Sequence, residues 1–272
     1  AERYVTVMNS FGRFRRENEL LWEEVDSDLM VEYETYLKSR GVCPNTSSYY
    51  MRGLRAIYNR AVEKGKTVQR EPFKYVYTGI DKTIKRAVPL KVIRQIRDLD
   101  LTLFPTMDFA RDIFMFSFYT RGMSFIDMAY LKKKDLQGGT LSYRRQKTGQ
   151  QLFVKWEKPM QEIVDKYNTN GTPYLLPIIR DMNADIRRQY KNAAHLVNDK
   201  LKKLGEKLGL TVPLTSYVAR HGWASIARSR NIPLAIISEA MGHDSEKTTR
   251  IYLASLDTTS VDKANSRILK AL

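Results

Sequence analysis

Apolar residues recur at helical spacing along nearly all of this 272-residue chain, and the period changes once. At TLSYRR (140–145) and QLFVKW (151–156) it becomes an alternation, the pattern of two short strands. Gln146–Gln150 joins them and includes Lys147, Thr148 and Gly149, which makes a hairpin with a lysine at its tip. One hairpin among many helical segments fixes the fold class as mainly α with a small antiparallel β-sheet.

The helices fall into two groups. Residues 3–16 carry Tyr4, Val7, Met8, Phe11 and Phe14 on one face. A second helix spans 26–40, with Ser27 as the expected N-cap and Gly41 as the stop. A third spans 46–64, capped by Asn45, with Leu54, Ile57, Tyr58, Ala61 and Val62 as its buried stripe. Its other face carries Arg52, Arg55 and Arg60, placed either to meet phosphates, with Asn45 and Ser48 near bases, or simply to face water. Residues 1–65 are thus expected to form a helical unit. Residues 66–89 contain Pro72, Gly79 and Pro89 with Lys82, Lys85 and Arg86, and read as a basic linker able to touch phosphates. A second domain is expected over 90–272, with helices at 90–98, 107–119, 124–131, 160–167, 184–208, 221–230, 234–241, 245–252 and 258–272.

Charge narrows the partner. The formal net charge is +16. Residues 1–50 are net −3, residues 51–88 net +7 and residues 89–272 net +12, so the basic character begins abruptly at Arg52. This points to a polyanion. One cysteine, Cys43, allows no disulfide within the chain, and it lies far from His195, His221 and His243, so no metal site is expected. No stretch is apolar enough to span a membrane, and the first residues lack a signal-peptide pattern, so a cytoplasmic location is expected.

Two stretches carry chemistry. In YTRGMSFID (119–127) a helix breaks at Gly122 and restarts at Ser124, which has Asp127 three residues on as in a capping box. Arg121 precedes the break and is the one basic residue between Arg111 and Lys132. In residues 215–256 Arg220 begins a helix, Gly242 ends another and leaves His243 on a turn, and Tyr252 follows nine residues later. An arginine, a histidine and a tyrosine so placed could converge to hold a phosphate and attack it.

The spacing Y-V-A-R-H (217–221), M-G-H (241–243) and Tyr252 resembles the C-terminal signature of the tyrosine recombinase (phage integrase) family. The resemblance reaches upstream to Lys147, to G-M-x-F-x-D at 122–127 with Leu131 and Asp135, and to NTSSYYMRGLRAIYNRA (45–61). It covers essentially the whole chain, and its wording is most similar to the branch found in Bacteroidetes mobile elements and DNA invertases. The resemblance implies a SAM-like core-binding domain followed by a recombinase catalytic domain. It implies a site-specific DNA recombinase, an integrase or invertase, that cleaves and rejoins DNA through a 3′-phosphotyrosine intermediate on Tyr252. Arg220 would stabilise the phosphoryl oxygens, His243 would donate to one of them, and Lys147 would protonate the leaving 5′-oxygen. His221 would support the fold or orient Arg220. No cofactor is implied. Double-stranded DNA is the implied partner, with a homo-tetramer assembled on it, accessory DNA-bending proteins and a place with the bacterial nucleoid. Val261, Ala264, Ile268 and Leu272 form a stripe that docks on a neighbouring subunit or on its own domain.

Two positions depart from the pattern. Tyr217 stands where the family has histidine, leaving water or Lys147 to assist Tyr252. Ser124 stands where the family has its first arginine, and Arg121, about one helical turn earlier, is expected to reach the same phosphate. These departures keep two other readings open: a catalytically degenerate DNA-binding protein, and a topoisomerase-like enzyme that nicks and reseals.

Overall fold

A computed structural model describes residues 2–16, 18–81, 87–243, 245–253 and 269, apart from the side chains of residues 247, 251 and 252. The chain divides into two compact units, Ala1–Thr83 and Ile84–Leu272.

In the first unit α1 (Glu2–Arg15), α2 (Ser27–Ser39) and α3 (Pro44–Glu63) close on a core of Val7, Phe11, Met30, Tyr33, Leu37, Met51, Leu54 and Tyr58. The Phe11 and Tyr33 rings meet edge to face at 5.0 Å, and the Tyr33 hydroxyl donates to Ser10 Oγ, which satisfies the polar end of this buried ring. Two expected caps are corrected. Asp26, not Ser27, caps α2, its Oδ1 accepting from the Leu29 amide at 2.8 Å. Cys43, not Asn45, holds the N-cap position of α3, because Pro44 takes the first helical position, where its fixed φ and missing N–H cost nothing.

The stretch expected as a linker is in part a wall of this unit. Phe73 and Val76 are buried in its core, the Tyr58 hydroxyl donates to the Val68 carbonyl, and Glu34 Oε1 accepts from the Tyr77 amide. Asn45 pairs with the backbone of Asp81 in both directions, and Ser48 donates to the Gly79 carbonyl. Ser48 is 0% exposed, so its expected contact with bases is corrected to a structural bond within the unit. Arg55 and Arg60 are exposed, while Arg52 is partly covered and donates weakly to the Ser48 carbonyl. Lys82, Lys85 and Arg86 lie outside the described residues, as do Val261, Ala264, Ile268 and Leu272.

The second unit is built around α5 (Pro105–Tyr119), whose Ile113, Phe114 and Phe116 are wholly buried and which packs against α8 (Ile186–Lys207) and α9 (Ser216–Ser229). α4 (Leu90–Arg97) and α7 (Lys158–Asp165) flank it. Buried Asp112 accepts from Arg111 Nε, Lys166 Nζ and the Tyr167 hydroxyl. The charge carried inward on α5 is thereby compensated. The sheet has three antiparallel strands in the order β1-β2-β3: β1 (Leu136–Gln137), β2 (Thr140–Arg144) and β3 (Gln151–Lys155). The two-residue β1 extends the expected hairpin. Leu141 pairs with Val154 and Tyr143 with Leu152 on the inner face, and Ser142 with Phe153 on the outer one. α6 (Phe125–Tyr130), α10 (Leu234–Ala240) and α11 (Glu246–Leu253) complete the unit. Ala224, Ala227, Ile237, Met241 and Leu253 form a small separate core that seats α10 and α11 on α9.

Candidate active site

α9 begins at Ser216 rather than at His221, which puts Arg220 inside the helix instead of at its start. The reason is burial: Val218, Ala219 and Arg220 all face inward. Arg220 is 3% exposed. Its Nη1 donates to the Gly122 carbonyl at 2.7 Å and its Nη2 to the Met241 carbonyl at 2.6 Å. Nη2 also lies 3.0 Å from His243 Nε2. The residue thus joins the break after α5 to the turn after α10.

That break has a steric logic. Arg121 and Gly122 adopt φ of +62° and +76°, and a Cβ on Gly122 would stand 2.8 Å from both Cα and Cγ of Arg220. Only glycine fits. Gly122→Ala is expected to destabilise the protein by about 2–4 kcal/mol, from the left-handed backbone and the overlap together. The urea midpoint measures this, and an unchanged midpoint would mean that the helix and the turn are not in this contact.

Ser124 caps α6, accepting from the Asp127 amide and donating to Asp127 Oδ2 at 2.6 Å. Asp127, 4% exposed, accepts from the Gln146 amide through Oδ1 at 2.8 Å. The G-M-x-F-x-D segment therefore holds the root of the hairpin loop.

Sequence reasoning missed Arg145, which is 7% exposed. It donates through Nη1 to the Gly242 carbonyl, the residue after the one that holds Arg220. Its Nε has no hydrogen-bond partner, and its guanidinium no ion pair, among the described residues. Gly242, at φ +62°, leaves no room for a Cβ, which would lie 2.9 Å from Leu152 Cδ1 and 3.2 Å from Arg145 Cδ. The signal was present: Leu141, Tyr143 and Arg145 share one parity, and a strand that turns the first two inward turns the third inward as well.

His243 sits between these groups. Its Nδ1 lies 2.7 Å from the hydroxyl of buried Thr249 on α11. Its pKa is pushed down to about 4, first by burial, then by the charges of Arg220, Arg145 and Lys147. Lys147 is exposed at the loop tip, near enough to act on the imidazole by its charge. Burial, with Asp127 nearby, pushes the Tyr143 hydroxyl well above its ordinary value, against Arg220, Arg145 and Arg121.

The expected residues do not all meet. Arg220 and His243 touch, and the charge of Lys147 reaches the imidazole. Arg121 donates to the Phe153 carbonyl at 3.2 Å, on the strand whose Phe153 side chain is exposed. Tyr217 is 53% exposed and stands edge-on to the His221 ring at 4.8 Å. His221 is buried in α9, and its carbonyl accepts from the Ser225 hydroxyl. Tyr252 lies in α11, with its side chain outside the described residues.

Comparison with known proteins gives this geometry a context. The phage integrase SAM-like domain matches residues 1–83, and the phage integrase family matches residues 104–259. The chain belongs to the phage integrase family. It is 26% identical to tyrosine recombinase XerA of Pyrococcus furiosus over 64% of this chain and 58% of that one. It is 25% identical to tyrosine recombinase XerC of Syntrophus aciditrophicus over 92% and 85%. The chain spans 58% and 43% of the length of two XerA relatives it matches. Among solved structures, a lambda integrase (75–356) dimer bound to a COC′ core site is similar with a TM-score of 0.69 and 14% identity, over 93% of this chain and 89% of that one. XerH bound to palindromic difH, in a post-cleavage complex, gives 0.72 and 14%, over 97% and 78%. At these identities the likeness is one of fold.

Proposed function

We propose that the chain is a site-specific DNA recombinase that cleaves a strand by attack of the Tyr252 hydroxyl on a phosphodiester. The bond to the 5′-oxygen breaks as the tyrosyl–phosphate bond forms, leaving a 3′-phosphotyrosine and a 5′-hydroxyl. The phosphotyrosine keeps the bond energy for rejoining.

The observation that carries this reading is the pair of guanidiniums held by successive carbonyls, Met241 and Gly242, beside His243. Negative charge spread over phosphoryl oxygens is met best by planar, preorganised donors. Arg220 supplies one, and Arg145 supplies the second, in place of the family arginine absent at Ser124. Lys147 protonates the leaving oxygen, Tyr217 hydrogen-bonds the phosphate and Arg121 lies toward the outer strand. Arg52, Arg55 and Arg60, with Lys82, Lys85 and Arg86, bind backbone phosphates of duplex DNA, and Asn45 orders the 79–81 segment beside them. The chain works as a tetramer, with its C-terminal stripe docked on a neighbour and bending proteins assisting, at the nucleoid in the cytoplasm.

The departures at Ser124 and Tyr217 favour one rival, a DNA-binding protein that has lost cleavage. A nicked duplex carrying a site selected by binding from random-sequence DNA separates the two. The recombinase reading expects a protein–DNA adduct that survives denaturant. Tight, salt-sensitive binding without any adduct is the rival's result.

A further inference from the structure

Thr249 stands three residues before Tyr252 on α11, and its side chain is wholly buried. Its hydroxyl lies 2.7 Å from His243 Nδ1, while Arg220 Nη2 lies 3.0 Å from Nε2 on the other side of the ring. A guanidinium can only donate, so Nε2 accepts, and the ring proton sits on Nδ1 and is donated to Thr249. The ring is neutral near pH 7, its pKa pushed down to about 4 by burial and by Arg220 of α9 with Arg145 and Lys147 of the hairpin. In this form it cannot donate from Nε2 to a phosphate oxygen. A hydroxyl, however, can accept from Nδ1–H or donate to a bare Nδ1. Once Arg220 turns to a phosphate, Thr249 can donate instead. Nδ1 then gives its proton to water as Nε2 takes one from water.

We propose that Thr249 is a positioning residue for strand cleavage, tying the helix that carries Tyr252 to His243 and holding the imidazole in either tautomer. The inference rests on the recombinase reading. Leu253, four residues on and 2% exposed, shares the Thr249 face, so the tie and the small apolar core seat the same side of α11.

Thr249→Val removes the hydroxyl at nearly constant shape, and Thr249→Ser keeps it. Nitrogen chemical shifts of the His243 ring in the free protein at pH 7 should report a hydrogen-bonded Nδ1–H in the parent and in Thr249→Ser, and a shifted Nδ1 resonance in Thr249→Val, where that proton has lost its acceptor. Ring nitrogen shifts that are the same in Thr249→Val as in the parent overturn the tie whether or not the protein cleaves DNA. On the nicked duplex at saturation, Thr249→Val should slow adduct formation by about tenfold or more, the worth of one lost hydrogen bond, with unchanged affinity. Thr249→Ser should recover most of the rate. In a His243→Ala background Thr249→Val should add little further loss. Equal slowing in both backgrounds, or a serine variant as slow as valine, overturns the positioning role. A parent that forms no adduct removes the recombinase reading and the positioning role together, while the tie still stands or falls on the ring's nitrogen shifts.

Discussion

Tyr252→Phe is expected to bind the selected duplex like the parent and to form no denaturant-stable adduct. The phenol is the one group the proposed reaction cannot replace. Its ordinary pKa is about 10, so at neutral pH it reacts only where the field of the site favours the phenolate or a base takes its proton. The surrounding cations, Arg220, Arg145 and Lys147, supply that field for whatever enters beside His243. Removing the hydroxyl leaves these charges in place, which is why affinity should hold: phosphate contacts dominate it. α11 should stay seated, because Thr249 and Leu253 are buried among its described side chains. Adduct formation equal to the parent in Tyr252→Phe would move the nucleophile elsewhere.

Arg145→Ala is expected to lower the rate of adduct formation by about 10²–10³-fold, the usual loss for one preorganised donor to a transition-state oxygen. Arg145→Lys should recover little, because a point charge replaces the planar fork. Arg121→Ala should cost only a few-fold, since that guanidinium rests on the Phe153 carbonyl at the outer strand. The pair of variants decides which arginine stands in for the one missing at Ser124. A large loss in Arg121→Ala with a small one in Arg145→Ala would reverse the assignment. Thermal melting of each variant guards against misreading a folding defect, since Arg145 also ties the hairpin to the Gly242 turn.

Much of this architecture was written in local patterns. The change of period at 140–156 located the sheet, and Ser124 over Asp127 announced the start of α6. What local patterns did not reveal depends on partners distant in sequence. Residues 66–89 read as linker because Pro72, Gly79 and Pro89 interrupt helical spacing, yet Phe73 and Val76 are buried in the core of the first unit. Ser48 was expected beside DNA because small polar residues suit a groove. It lies on the same face as Met51, and its hydroxyl is used by the Gly79 carbonyl. Arg145 follows the end of β2, where an arginine ordinarily meets solvent. The alternation itself pointed it inward, and the Gly242 carbonyl rewards that direction. Asp127 shows why a short motif spans what looks like a simple cap: the same carboxylate grips the hairpin loop through the Gln146 amide.

Tyr252 should become covalently joined to DNA, and mass spectrometry of the trapped adduct reads that bond. Trypsin cleaves after Arg250 and Lys263, and the peptide 251–263 contains Tyr252 as its one tyrosine. After nuclease digestion that peptide should carry a nucleotide through its 3′-phosphate, and the other DNA product should end in a 5′-hydroxyl. A nucleotide on any other peptide, or one attached through its 5′-phosphate, would contradict the account.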